Sequence, residues 1–276
     1  MTSEARRPGS PKLVATDLDG TIVRDDGSVS DRTRAAFDLV KAAGVPIVGV
    51  TGRGPRILDL CRRDLPEADY FVLGQGALAV DLTTPGPPRE LSAATMEGAL
   101  VSEILLRLEG VVGPLSVLVE PVDSIDAFLL GDPNPAWRFA DLVRPTARED
   151  ALAGTVIKAF AHSERYDADE LLTIARTLIG PEIAELTQAG LGYVEICPRG
   201  VTKASGLAVV ATHIGVDPSD ILVFGDMPND LPMFAYAGWR RLAVASAHAD
   251  LRAVADEVIG ECADDGVAVY LENLFG

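Results

Sequence analysis

Two carboxylates, Asp17 and Asp19, stand two residues apart with Gly20 directly after them, at the end of the apolar run Leu13-Val14-Ala15. Taken alone, Asp-x-Asp-Gly could be a solvent-facing turn. The pair also suits phosphoryl transfer, with one carboxylate as nucleophile and the other as acid and base beside a metal, and Gly20 would let the backbone approach a phosphate closely. A second acidic group, Gly225-Asp226-Met227-Pro228-Asn229-Asp230, follows the apolar run Ile221-Leu222-Val223-Phe224. Asp226, Asn229 and Asp230 are hard oxygen donors of the kind Mg²⁺ prefers, although one of the aspartates could simply cap a helix. So many convergent carboxylates would need a cation. Lys203, placed in the first turn of an expected helix with Thr202 to cap it, could balance Asp17 and phosphate oxygens; a solvated lysine is the plainer alternative. Thr51 would offer a hydroxyl, and Gly52 an amide, to the same phosphate.

These residues need elements to bring them together. Apolar runs at 13–15, 45–50, 70–73, 221–224 and 242–245 read as short buried strands. Helical spacing joins several of them: 31–43 after Ser30 as N-cap, 57–63, 203–214 and 267–274. That alternation argues for an α/β fold with a parallel, doubly wound sheet, in which groups just past the strands' carboxyl ends share one crevice. The rhythm breaks at the cluster Thr83-Thr84-Pro85-Gly86-Pro87-Pro88. Beyond it come an expected helix over 93–108, strands near 116–120, 156–161, 183–186 and 193–196, a helix at 167–178, and a Pro-rich stretch, 132–145. The strands of this part alternate in polarity, as in an open sheet with one wetter face. The expected organisation is a core of 1–82 and 198–276, with 83–197 inserted as a second α/β domain.

Bulk properties narrow the function further. The 276 residues are 48% hydrophobic and only 5% aromatic, so Ala, Val, Leu and Ile must fill the interior. With 41 acidic against 24 basic residues the net charge is −17, which argues against nucleic acid as a partner. The same field would repel phosphorylated metabolites unless a metal or lysine reverses it locally. No segment reaches the ~20 apolar residues needed to span a bilayer, and no signal-peptide pattern opens the chain, so the expectation is a cytoplasmic protein that does not enter the membrane. Cys61, Cys197 and Cys262 read as free thiols. His162, His213 and His248 match no zinc spacing. Trp137 is read as pinning a loop and Trp239 as packing at an edge.

In order and type, these motifs resemble the haloacid dehalogenase superfamily, in particular its Cof-type branch. Asp17-Leu18-Asp19-Gly20-Thr21 is similar to the family's DxDGT, Thr51-Gly52-Arg53 to its strand-end Thr or Ser, Lys203 to its helix-opening lysine, and 225–230 to GDxxND. The tail Asp265-Gly266-Val267-Ala268 is similar to a closing DGVA segment. The resemblance implies a Rossmann-like core with an inserted cap, and a Mg²⁺-dependent phosphatase of small phosphorylated metabolites, monomeric or dimeric. It implies that Asp17 attacks phosphorus and that Asp19 protonates the leaving oxygen and then activates water. Asp17, the Asp19 carbonyl and Asp226 would hold Mg²⁺ with Asp230 and Asn229 in support, while Thr51 and Lys203 would steady the phosphate. Gly20, Gly52, Arg53 and Gln75 are the expected substrate contacts; Gln75-Gly76-Ala77 stands where the family often has Asn-Gly-Ala. A phosphosugar mutase or other phosphotransferase on the same scaffold is one alternative. A phosphoacceptor signalling module is the other.

Overall fold

The computed structural model describes residues 9–122, 128–133 and 140–276; Trp137 lies outside them. In chain order the strands are β1 Leu13–Thr16, β2 Ile47–Val50, β3 Tyr70–Leu73, β4 Leu78–Asp81, β5 Arg89–Ala93, β6 Met96–Glu97, β7 Ser116–Pro121 and β8 Leu129–Gly131. They continue as β9 Val143–Pro145, β10 Thr155–His162, β11 Ala184–Gln188, β12 Val194–Pro198, β13 Ile221–Gly225, β14 Arg240–Val244 and β15 Glu257–Ile259.

One eight-stranded sheet runs β15-β14-β13-β1-β2-β3-β4-β5. Its pairings from β15 through to β3 are all parallel, and β4 returns antiparallel on β3. Strands β1, β2, β3 and β13 are buried along their whole length, as short apolar runs in a sheet covered on both faces must be. The helix Asp31–Ala42 starts where Ser30 accepts from the Thr33 amide, satisfying one orphan donor of its first turn. The helix Lys203–Ile214 lays Gly206, Leu207, Val210 and Ala211 inward. Strand β1 has β2 on one side and β13 on the other, with Thr16 in register with both Gly49 and Phe224. Residues just past these three strands are therefore neighbours, at the position where an open α/β sheet binds its ligand.

The second sheet, β11-β12-β10-β7-β8-β9, is mainly antiparallel, with β8 and β9 parallel and β6 paired to β10. One face packs on the helices Gly98–Val112 and Ala168–Leu178 through residues such as Val119, Ala161 and Val194. Asp167 and Glu170 close the start of the second helix as a capping box.

The chain separates into two compact units. The larger runs to Arg53 and takes in Leu58–Ser92 and Lys203–Gly276; the smaller holds Gly54–Ile57 and Ala93–Thr202. This differs from the sequence boundary of 83–197 at both ends. The Pro/Gly cluster is a loop within the larger unit, because β5 beyond it forms the edge of the larger sheet and Arg89 reaches back to Asp81 at 2.7 Å. Strands β5 and β6 also occupy the start of the helix expected over 93–108, which begins instead at Gly98. No described helix is long and apolar enough to cross a membrane.

Candidate active site

The turn after β1 is the centre of the site. The Leu18 carbonyl accepts from the amides of Thr21, Ile22 and Val23, which folds residues 18–23 into a tight loop. Gly20 sits in the left-handed region at φ 83°, and a β-carbon there would lie 2.2 Å from Asp226 Oδ2. Glycine is thus what lets the loops after β1 and β13 approach. The amide of Asp17 donates to the Phe224 carbonyl at 3.0 Å, so its side chain is anchored beside the same loop.

One oxygen from each of Asp17, Asp226 and Asp230 lies within 4.8 Å of the others. Lys203 Nζ donates to Asp17 Oδ1 at 2.5 Å and to Asp230 Oδ1 at 2.7 Å, and Lys203 is 1% exposed. Asp230 Oδ2 accepts the amides of Asp226 and Met227 at 3.0 and 3.1 Å. Asp230 is therefore spoken for by donors, whereas Asp17 and Asp226 face one another with the Thr21 hydroxyl between them, at 3.4 and 3.3 Å. Burial pushes Asp17 up to about 7 against the pull of Lys203, with Asp230 and Asp19 adding to the rise. Asp226 is pushed up as well, by burial and then by Asp17 and Asp230. Three carboxylates and one ammonium leave a surplus of negative charge in a dry place. A divalent cation between Asp17 and Asp226 would relieve it.

The donor set fits Mg²⁺. It is all hard oxygen, and Asn229 Oδ1 is buried with no hydrogen-bond partner, which leaves a carbonyl acceptor for a metal-bound water. The Asn229 amide nitrogen is directed to Gln75 Oε1 at 3.2 Å. Gln75 itself is buried in the left-handed region, at φ 62°.

Asp19 is placed differently. Its carboxylate is gripped by Arg53, Nε to Oδ2 and Nη2 to Oδ1, both at 2.7 Å, while Nη1 of the same guanidinium reaches Asp64 Oδ2 at 2.6 Å. Arg53, expected as a substrate contact, is a 6%-exposed fork between two aspartates. The Thr51 hydroxyl accepts the Arg53 amide at 3.0 Å, its own amide donates to the Val72 carbonyl, and the Gln75 amide donates to the Thr51 carbonyl. The loop after β2 is thus wired to both β3 and Asp19. Gly52 lies half-buried beside Thr51.

The structure brings Asp17, Asp226, Asp230 and Lys203 into direct contact or near it, with Gly20, Asn229 and Gln75 adjoining. Asp64 and Thr21 were not singled out from sequence. Thr21 belonged to a motif already quoted, but Asp64 gives no sequence signal, being one aspartate among the charged residues of a short helix. Cys61, Cys197 and Cys262 are free and buried, and burial pushes the Cys61 and Cys262 thiols up to about 12, which leaves them poor nucleophiles.

Comparison with known proteins finds one family. The family model for haloacid dehalogenase-like hydrolases matches residues 14–105 and 142–271. A 5-amino-6-(5-phospho-D-ribitylamino)uracil phosphatase of Bacillus subtilis is 26% identical over 96% of this chain and 98% of its own. A phosphoglycolate phosphatase of Halorubrum lacusprofundi is 27% identical over 95% and 96%. The chain spans only 54% of a Streptococcus pyogenes protein named for both phosphatase and peptidyl-prolyl isomerase functions, at 24% identity over 95% of this chain. Among solved structures, the subclass IIB sugar phosphatase BT4131 superposes with a TM-score of 0.78 at 21% identity, covering 95% of this chain and 98% of that one.

Proposed function

This chain belongs to the haloacid dehalogenase-like hydrolase family and is a phosphatase, and from that premise we propose that it hydrolyses a small phosphorylated metabolite, with Mg²⁺, through an aspartyl-phosphate on Asp17. The observation that carries the reading is the charge count at the site: Asp17, Asp226 and Asp230 lie together with one buried ammonium, Lys203, which pairs with Asp17 and Asp230.

In the first step an Asp17 carboxylate oxygen forms a bond to phosphorus, the bond from phosphorus to the ester oxygen breaks, and Asp19 gives that oxygen its proton. In the second, Asp19 takes a proton from water as the water oxygen bonds to phosphorus and the acyl-phosphate bond breaks. The sum is ester plus water giving alcohol plus inorganic phosphate. Asp17, the Asp19 carbonyl and Asp226 would hold Mg²⁺, with Asn229 and Asp230 behind them. Bound there, the ion would keep Asp17 ionised and neutralise charge on the transferring phosphoryl group. Lys203 holds Asp17 in place and supplies positive charge at the phosphate; Thr51 and Gly52 offer it a hydroxyl and an amide. Arg53 fixes the direction of the Asp19 carboxyl. The curated relatives act on a ribitylamino phosphate and on phosphoglycolate, which supports small phosphomonoesters as the class. The smaller unit would govern which ester is accepted.

Phosphate release across a panel of metabolite monoesters with Mg²⁺ tests this, with Asp17→Asn as control. Turnover that needs Mg²⁺ and is lost in Asp17→Asn is the expected result. An isomerised sugar phosphate without free phosphate would replace hydrolysis by a mutase reaction, and no reaction on any ester would sink the proposal.

A further inference from the structure

Three segments that carry the site meet at the turn Gly74-Gln75-Gly76, which follows β3. The Gly74 amide donates to the Arg53 carbonyl at 2.8 Å, and the Gln75 amide to the Thr51 carbonyl at 3.2 Å. A β-carbon on Gly206, in the first turn of the helix that opens with Lys203, would fall 3.0 Å from Gly76 Cα. That helix therefore packs directly on the turn. From the loop after β13, Asn229 Nδ2 donates to Gln75 Oε1 at 3.2 Å. All of these residues belong to the larger unit.

Gln75 is held in a conformation that its own type disfavours. Its φ of 62° lies in the left-handed region, and among the described non-glycine residues only Asp265 shares a positive φ. Glycine enters that region freely, and asparagine more readily than a longer side chain. Strained positions persist where the surroundings fix them, and they gather at functional sites. The side chain reaches inward, since Gln75 is 1% exposed and its carbonyl oxygen accepts from Asn229. An asparagine amide has one donor end and one acceptor end. With Nδ2 committed to Gln75, Asn229 Oδ1 is the end left over, buried and without a hydrogen-bond partner. The amide cannot turn its ends about without losing the bond to Gln75.

We propose that Gln75 is a positioning residue for the metal site. By accepting from Asn229 Nδ2 it fixes which way that amide faces, and so presents Oδ1 as the acceptor for a water of the ion's shell. The assignment rests on the Mg²⁺ part of the reading above. It also accounts for the strain: glycine at 75 would lack the acceptor, and asparagine would be one methylene short of it. Partners of this outer kind change metal affinity by about 10- to 100-fold.

The test is the Mg²⁺ affinity of the full chain, measured by isothermal titration calorimetry on variants shown folded by circular dichroism. Gln75→Met keeps the length of the side chain and removes the acceptor, so binding should weaken about tenfold or more. Gln75→Glu keeps an oxygen at the same reach and should bind Mg²⁺ at least as tightly as the native chain. Asn229→Ala, alone and combined with Gln75→Met, completes a double-mutant cycle. Acting through Asn229, Gln75→Met should cost nothing further once Asn229 is alanine. Where Gln75→Met does not fold, Gln75→Asn, which suits the left-handed region but falls short of Asn229, carries the same expectation. Equal affinity in the native chain and Gln75→Met overturns the inference, as do losses that add in the double variant or an equal loss in Gln75→Glu. Each of these leaves the phosphatase reading intact. A native chain that takes up no Mg²⁺ overturns the metal reading and this assignment with it, while phosphate release from the metabolite panel reports on hydrolysis separately.

Discussion

Lys203 brings one positive charge to three carboxylates, and the consequences can be measured without a substrate. Removing it by Lys203→Met leaves Asp17 and Asp230 as buried, like-charged neighbours. Breaking a buried pair in this way costs about 3–5 kcal/mol, so urea unfolding at pH 7 without metal should lose an amount of that order. Asp17 gives a pH signature of its own. Its folded pKa, raised from 3.8 to about 7, lies above the unfolded value, so between those limits the native state binds the extra proton and stability falls as pH rises. A ligand cation that favours ionised Asp17 reverses this loss. The rise in Tm on adding Mg²⁺ to metal-free protein should therefore be larger at pH 7.5 than at pH 5; an increment that is flat with pH would mean Asp17 is not part of the metal site. Arg53 offers a kinetic test. Lysine cannot reproduce its bidentate grip on Asp19, so Arg53→Lys should lower kcat about tenfold or more with KM little changed, whereas a substrate-binding arginine would show its loss in KM. That assignment marks the limit of what the residues disclose in sequence. Asp17, Lys203, Asp226 and Asp230 were legible because strand-end motifs converge in any parallel sheet. The partners of Arg53 were not, since Asp19 and Asp64 meet it only through the fold.

At the scale of elements, the site depends on how closely two loops approach. Gly20→Ala puts a β-carbon into the left-handed region and against Asp226. The backbone strain is about 1–2 kcal/mol, and the displaced carboxylate should weaken Mg²⁺ binding about tenfold or more, as read by a metal titration of Tm. An unchanged Mg²⁺ affinity would remove Asp226 from the metal set. The elements that carry the site were readable because they are strongly patterned: β1, β2, β3 and β13 are uninterrupted apolar runs, and the helix from Lys203 starts where Thr202 suggested. What sequence concealed were short strands with little hydrophobic signal. Strand β5, Arg-Glu-Leu-Ser-Ala, is exposed or half-buried along its length, so its place at the sheet edge owes more to pairing with a neighbour than to its own apolar content.

For the molecule as a whole the governing quantity is the net charge of −17. On the proposed reading, a dianionic ester approaching such a protein would meet a repulsive field at long range and an attractive one only within reach of Mg²⁺ and Lys203. The two respond to salt differently, because mobile ions screen separations beyond about 10 Å at 0.1 M and act much less on buried charge. With Mg²⁺ held saturating, added monovalent salt should thus weaken the repulsion more than the attraction, and kcat/KM for a phosphomonoester should rise about two- to threefold between 10 and 150 mM. Encounter is the affected step, so kcat at saturating substrate should stay level. A fall in kcat/KM with salt would mean that the positive groups at the site project their field well into solvent, and that the acidic surface is arranged away from the path of the substrate.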